Sequence, residues 1–301
     1  MPGQTAGWDR LRLRLRSATP PLYPPAPRPA GSPAADCAVC RGPVRPGFAR
    51  CYQCDRHALL GSALLADAVV PISYAIKGTP FADHLWRYKS TPRPSSSSAS
   101  PAPVLVPSSS ASPALVPVPS SFASPGPVLA PAAARTPVLA RASVLALLLA
   151  FLADHGPCVW QRAGMPPPDL LAVVPTGAGR PGPHPLLRMV SPYLRLPACR
   201  LALRPGRQGR DLDLDRFEIL TRPAGASVLL LDDTWVSGAS AQSAAAALKL
   251  AGARHVAVVV LGRHVNPGAP ASAALLAGLT AARYDPSACA VHPPPNGTNR
   301  R

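Results

Sequence analysis

Asp232 and Asp233 stand side by side at the end of an apolar run, VLLLDDTWVSGAS over Val228–Ser240, and a small-residue Ser-Gly-Ala-Ser stretch follows them. The run reads as a strand entering a core, with two carboxylates emerging at its C-terminal end and a loop opening the next helix. In open α/β sheets that end of the strands is where ligands bind. Free N–H groups at a helix start suit a phosphate, the Ser237 and Ser240 hydroxyls add hydrogen bonds, and Gly238 lets the backbone come close. Adjacent carboxylates one loop away accept hydrogen bonds from vicinal ribose hydroxyls. A 5-phosphoribosyl group offers both partners, and a chance strand ending in Asp-Asp before a helix is the competing reading.

A second constellation is Cys37-x2-Cys40-x10-Cys51-x2-Cys54. Two CxxC knuckles let four thiolates converge on one zinc ion, and an arginine follows closely after each pair, where it offsets thiolate charge. Four sulfur ligands leave no open position, so the zinc is expected to be structural; unligated or redox thiols are the alternative. His57 could replace one of these ligands, but it is expected as an exposed helix-start residue. Cys289 and His292 form a lone CxxH near the tail, read as inert, and Cys158 and Cys199 read as core thiols.

Two polar segments remain. PTGAGRPGPHP, Pro175–Pro185, contains Gly177-x-Gly179-x-x-Gly182, a superficial dinucleotide fingerprint. Pro181, Pro183 and Pro185 keep it from opening a helix there, and no acid follows at the needed distance, so that reading fails. An ordinary Pro/Gly turn remains possible. RPGRQGRDLDLDRF, Arg204–Phe217, is a polar loop of mixed charge.

Val228–Ser240 resembles the signature of type I phosphoribosyltransferases, which bind 5-phosphoribosyl-1-pyrophosphate (PRPP). Four apolar residues, an acidic-Asp pair, three variable positions and Ser/Thr-Gly-x-Ser/Thr are all matched. The resemblance implies that Asp232 and Asp233 contact the ribose hydroxyls and that Thr234, Ser237, Gly238, Ala239 and Ser240 cradle the 5-phosphate. It implies too that Thr176, Gly177, Gly179 and Arg180 face the leaving diphosphate with Mg2+, and that Arg204–Phe217 is a catalytic lid, a plain solvated loop being the alternative. The knuckle pair followed by ISYAIKG, LWRYK and this signature is similar to the ComF family, phosphoribosyltransferase-like proteins linked to DNA uptake. In place of the Arg-Gly-x-Asn-Gln motif of many such proteins the chain has GRPGPHPLLR. The expected activity is PRPP-dependent glycosyl transfer to an unidentified acceptor, with Asp232, Asp233 and Arg180 as catalytic residues. Two rivals are a PRPP or nucleotide sensor without turnover, and a zinc-ribbon protein binding single-stranded DNA alongside competence proteins.

The elements that must position these residues alternate. LLAVVP (Leu170–Pro175), SVLLLDD (Ser227–Asp233) and HVAVVVLG (His255–Gly262) are short apolar runs, the pattern of parallel strands covered on both faces. SAQSAAAALKLAGA between the last two reads as a helix, with Ser240 as N-cap and Gly252 as stop. AVVPISYAI reads as a strand and PFADHLWRYK as a helix begun by Pro80. Val144–Ala153 is too short to span a bilayer and reads as a buried helix. The expected fold is α/β, a type I phosphoribosyltransferase-like parallel sheet flanked by helices, carrying a zinc-ribbon-like module and a disordered insertion.

Composition sets the limits. The 301 residues are 47% hydrophobic with 42 prolines, enough for one sizeable core plus irregular appendages. A net charge of +17 suits phosphate-rich partners. Lysine occurs only at Lys77, Lys89 and Lys249, so arginine supplies nearly all the basic residues, as a GC-rich coding sequence also would. WDRLRLRLR at Trp8–Arg16 lacks an apolar signal region, so the expected location is cytoplasmic, with no membrane span and reduced thiols. The organisation expected is a disordered tail over 1–35, a zinc module over 36–57, a phosphoribosyltransferase-like domain over 58–90 and 138–292, a Pro/Ser/Ala spacer over 91–137 and a tail over 293–301.

The spacer's near-repeats SSSSASPAPVLVP, SSSASPALVPVP and SSFASPGPVLAP offer little to bury, and loop closure depends weakly on length. Replacing residues 95–135 by a short Gly/Ser linker should leave the melting temperature nearly unchanged. A fall of about 10 °C or more would mean that the spacer packs on the domain.

Overall fold

A computed structural model describes residues 19–25, 36–89, 137–175, 184–279, 281 and 289–292. A short helix, α1 (Tyr52–Ala58), closes the cysteine segment. Strand β1 (Ala68–Ile76) and helix α2 (Pro80–Arg87) follow, and helix α3 (Pro137–Arg162) resumes the chain after the spacer. Then come β2 (Leu170–Val173), α4 (Pro185–Leu194), the small strands β3 (Leu201–Leu203) and β4 (Phe217–Ile219), β5 (Ser227–Trp235), α5 (Ala239–Leu250), β6 (His255–Val265) and α6 (Ala273–Ala277). Four strands form one parallel sheet in the order β1-β6-β5-β2, and β3 and β4 pair antiparallel.

The central strands β5 and β6 are apolar almost throughout because helices cover both faces. Alternation divides their side chains: Leu229, Leu231, Val259 and Leu261 enter one core, Val228, Leu230, Val258 and Val260 the other. The first core is filled by α3, whose Ala140, Val144, Leu147, Leu148 and Phe151 recur at helical spacing. The second is filled by the alanines of α5, whose small side chains let the helix lie close. Among the described residues α3 alone is long and apolar enough to cross a membrane; half of its most apolar window is buried inside the fold.

Both sheet edges are covered, which blocks further strand pairing. Pro71, which lacks an N–H, sits on edge strand β1, where a missing ladder donor is tolerated. Residues 19–25, expected within a disordered tail, lie against that strand. The Tyr74 N–H donates to the Tyr23 carbonyl at 2.8 Å, the Tyr23 N–H donates to Ser73 Oγ at 3.2 Å, and Leu22 enters the first core. At the other edge Leu171 N–H donates to Pro197 O at 2.9 Å and Cys199 N–H to Leu171 O at 2.8 Å.

Two expected boundaries move. β5 does not stop at Asp233 but stays paired with β6 through Trp235. α5 begins at Ala239 with Gly238, not Ser240, as its N-cap. Gly252 ends that helix as expected, in a left-handed conformation at φ 103°.

Gly262 fixes the approach of α2 to the sheet, since a Cβ there would lie 2.3 Å from Leu85 Cδ1 and 2.8 Å from Ala75 Cβ. Gly262→Ala should therefore destabilise the fold by about 1–3 kcal/mol. Thermal melting checks this, at roughly 2–4 °C per kcal/mol. An unchanged midpoint would show that α2 yields freely.

Candidate functional site

Because β5 continues past the acids, both are enclosed: Asp232 is 9% exposed and Asp233 6%. The expectation of carboxylates standing clear at a strand end is corrected on this point. Alternation along β5 turns neighbouring side chains to opposite faces, and Asp233 meets the end of α2. Tyr88 Oη donates to Asp233 Oδ2 at 2.5 Å, and Lys89 Nζ forms an ion pair with the same oxygen. Arg141 on α3 holds this corner by donating from Nε to the Tyr88 carbonyl at 3.0 Å. Burial, aided by the charge of Asp233, pushes Asp232 from 3.8 up to about 7, although Lys89 and the Thr234 and Asp233 N–H groups pull the other way. Tyr88 and Lys89 were visible in the sequence only as part of LWRYK, without a partner.

The loop after the strand turns on one contact. Gly238 sits at φ 82°, and a Cβ there would lie 2.1 Å from Trp235 Cζ2, so only glycine fits over the indole. Ser237 Oγ accepts from the Ala239 N–H at 3.3 Å and donates to the Arg210 carbonyl at 3.2 Å. Thr234 is half-buried on the strand itself. Ser240 Oγ accepts from Arg216 Nη1 at 3.1 Å. Arg216 is 3% exposed, donates from Nη2 to the Asp211 carbonyl, and its Nε has no partner among the described residues. Sequence reasoning missed this arginine, which hides in a run of charges.

The stretch 204–216 joins β3 to β4 and rests on the helix start. The Asp213 N–H donates to Ser243 Oγ at 2.9 Å, and Arg56 pairs with Asp211 at 3.1 Å. The stretch thus lies against Ser237 and Ser240. Thr176, Gly177, Gly179 and Arg180 lie outside the described residues.

The four cysteines converge as their spacing predicts. The sulfurs of Cys37, Cys40, Cys51 and Cys54 all lie within 4.8 Å of one another, with Cys40 and Cys51 3.8 Å apart. Left-handed Arg41 and Gly47 make the turns that aim them inward. Hydrogen bonds from its neighbours favour a thiolate at Cys37, and the same crowding holds Cys54 protonated. Four such groups ionise together only around a cation, and the donor set fits tetrahedral zinc. The arginines following the pairs act elsewhere: Arg41 pairs with Asp36 at 2.5 Å and Arg56 with Asp211. Hydrogen bonding with Cys37 and Cys51, together with burial, pushes the Cys40 thiol up, and the opposing pull comes from Cys54 and from the charge of Arg263 on β6. Its Nη1 donates to the carbonyls of Trp235 and Val236 at 3.0 and 3.1 Å, and its guanidinium lies against Gly42. This side chain ties the cysteine module to the strand that carries the acids.

His57 corrects another expectation. It is 4% exposed, lies near the end of α1, and neither ring nitrogen has a hydrogen-bond partner among the described residues. Burial lowers its pKa. With Cys54, Asp67 and Lys249 it lines a cavity of about 800 Å³ whose lining includes neither Asp232 nor Asp233.

The raised pKa of Asp232 has a sign that can be tested. Between about pH 4 and 7 the folded chain keeps a proton that the unfolded chain has lost, so stability falls as pH rises through that window. Asp232→Asn should remove on the order of a few kcal/mol of this dependence. Melting curves at pH 5 and pH 8 should therefore lie closer together in the variant, and an unchanged gap would show that Asp232 titrates normally.

No protein-family profile matches the chain, and no curated protein matches it. Among solved structures, a purine phosphoribosyltransferase from Pyrococcus horikoshii OT3 aligns with 41% of this chain and 88% of its own length, at 14% identity and a TM-score of 0.25. That likeness is too slight to carry an activity across.

Proposed function

We propose that the chain binds PRPP and acts as a PRPP-dependent phosphoribosyltransferase of the ComF type. The observation that carries this reading is the continuity of β5, the glycine-capped turn and α5: buried carboxylates and a helix start stand one turn apart on one rigid element. Ser237, Ser240 and the backbone N–H groups from Gly238 onward would take the 5-phosphate. Arg216 adds a guanidinium beside Ser240, and its spare Nε is a donor for an anion. Asp232 and Asp233 would hold the ribose hydroxyls while the ring develops positive charge. Lys89 holds Asp233 in place through their ion pair. From the resemblance, Thr176, Gly177, Gly179 and Arg180 would face the diphosphate. Magnesium, when bound, would neutralise charge on the diphosphate. Zinc at Cys37, Cys40, Cys51 and Cys54 is a structural ion in this reading, and through Arg263 its loss would loosen the site.

A non-catalytic PRPP sensor is the second reading, favoured by the way Tyr88 and Lys89 already occupy Asp233 and so fit it for holding more than for proton transfer. Calorimetry with PRPP and magnesium tests both. The wild type should bind, and Asp232→Asn should weaken binding by roughly tenfold or more, a charge-assisted hydrogen bond contributing about 1.5–3 kcal/mol. Melting controls are needed, since both acids are buried. Pyrophosphate release with a panel of bases and amines marks an enzyme, and binding without release marks a sensor. No binding at all overturns the proposal, and salt-sensitive single-stranded DNA affinity that survives Asp232→Asn would favour the DNA-uptake reading.

A further inference from the structure

The fold brings together a second set of metal-binding side chains that the sequence holds far apart. His155 and Cys158 lie three residues apart in α3, a spacing that puts both on one helix face. Cys289 and His292 lie in a short described segment near the C-terminus. The ligand atoms of His155, Cys158 and Cys289 are all within 4.8 Å of one another, and His292 Nδ1 is 4.0 Å from Cys289 Sγ. Ligands around tetrahedral zinc sit about 3.5–3.8 Å apart, given bond lengths of about 2.0 Å to nitrogen and 2.3 Å to sulfur. For His155, Cys158 and Cys289 only a small closure separates the observed spacing from that geometry, and His292, outside that group, would complete it from beside Cys289.

Two further observations point the same way. Cys289 Sγ accepts hydrogen bonds from the backbone N–H groups of Val291 and His292, both at 3.3 Å. These two contacts fix the position of the Cys289 sulfur. Ala290 and Val291, the residues inside the CxxH, pack against the first core. The segment is therefore seated by its apolar middle, with Cys289 set beside His155 and Cys158 of α3 and His292 beside Cys289. In the sequence this CxxH motif reads as inert and Cys158 as a core thiol; the fold sets Cys289 beside Cys158 and His155.

We infer that His155, Cys158, Cys289 and His292 form a second zinc site, separate from the four-cysteine cluster, which clips the C-terminal segment onto α3. Its donor set, two thiolates and two imidazoles, closes a structural tetrahedron and suits zinc over magnesium or calcium.

Zinc counting on the full-length chain, kept reduced, saturated with zinc and freed of excess, tests the assignment. Two ions per chain are expected. Cys158→Ala or Cys289→Ala should each leave one, and Cys37→Ser with Cys40→Ser should leave the other. His292→Ala, a change close to the terminus, should weaken zinc at the second site by at least about tenfold while melting of the domain stays cooperative. In the Cys37→Ser, Cys40→Ser background, cobalt should give tetrahedral bands with thiolate charge transfer. One ion lost in the Cys289 variant alone would uphold this site while removing the first. A zinc count unaffected by Cys158→Ala, Cys289→Ala and His292→Ala overturns the inference, as does a Cys158–Cys289 disulfide in untreated protein.

Discussion

A carboxylate on a strand covered from both sides must either find donors or keep its proton, because a bare charge in that environment costs far more than a hydrogen bond returns. β5 carries two such groups in succession, and the chain resolves them differently. Asp233 is met by a phenol and an ammonium group, while Asp232 stays largely protonated until near neutral pH. Much of the surrounding architecture follows. α2 has to end where Tyr88 and Lys89 reach Asp233, α3 has to hold that corner through Arg141, and β6 has to lack a side chain at Gly262 so that α2 can approach.

The second constraint is the glycine over the indole. Trp235 is fully buried, and its ring fills the place where any side chain at 238 would go. The turn is consequently held in one shape by packing alone, the preorganisation that the proposed phosphate site would need. Arg216 and the 204–216 stretch then rest on this turn through Ser237, Ser240 and Ser243, and Arg263 links it to the cysteine module.

What could be read in the sequence was whatever depends on local order. Apolar runs located β2, β5 and β6, the glycine after Ser237 located the turn, and the CxxC spacing located the sulfur cluster. What could not be read depends on a partner distant in the chain. Nothing local says that β5 continues through two acids and a tryptophan; pairing with Val260, Gly262 and Arg263 of β6 decides it. Tyr88 and Lys89 gain meaning only beside Asp233, Arg216 only beside Ser240, and His155 only beside Cys289. Leu22 is a similar case, since a lone leucine amid prolines gives no sign that it is buried.

The long insertion leaves the chain just after Lys89 and returns at Pro137, yet Arg141 grasps the Tyr88 carbonyl, so its two ends are clasped together by the folded body. On one side of the gap are β1 and α2; on the other are β6, α3 and the strand bearing the acids. Each part supplies what the other lacks to complete the sheet and the core. A proteolytic nick or a gene fission between those two ends would part β1, α2 and Lys89 from the strand bearing Asp232 and Asp233, giving two fragments whose described faces complete one another, with an ion pair divided between the two polypeptides.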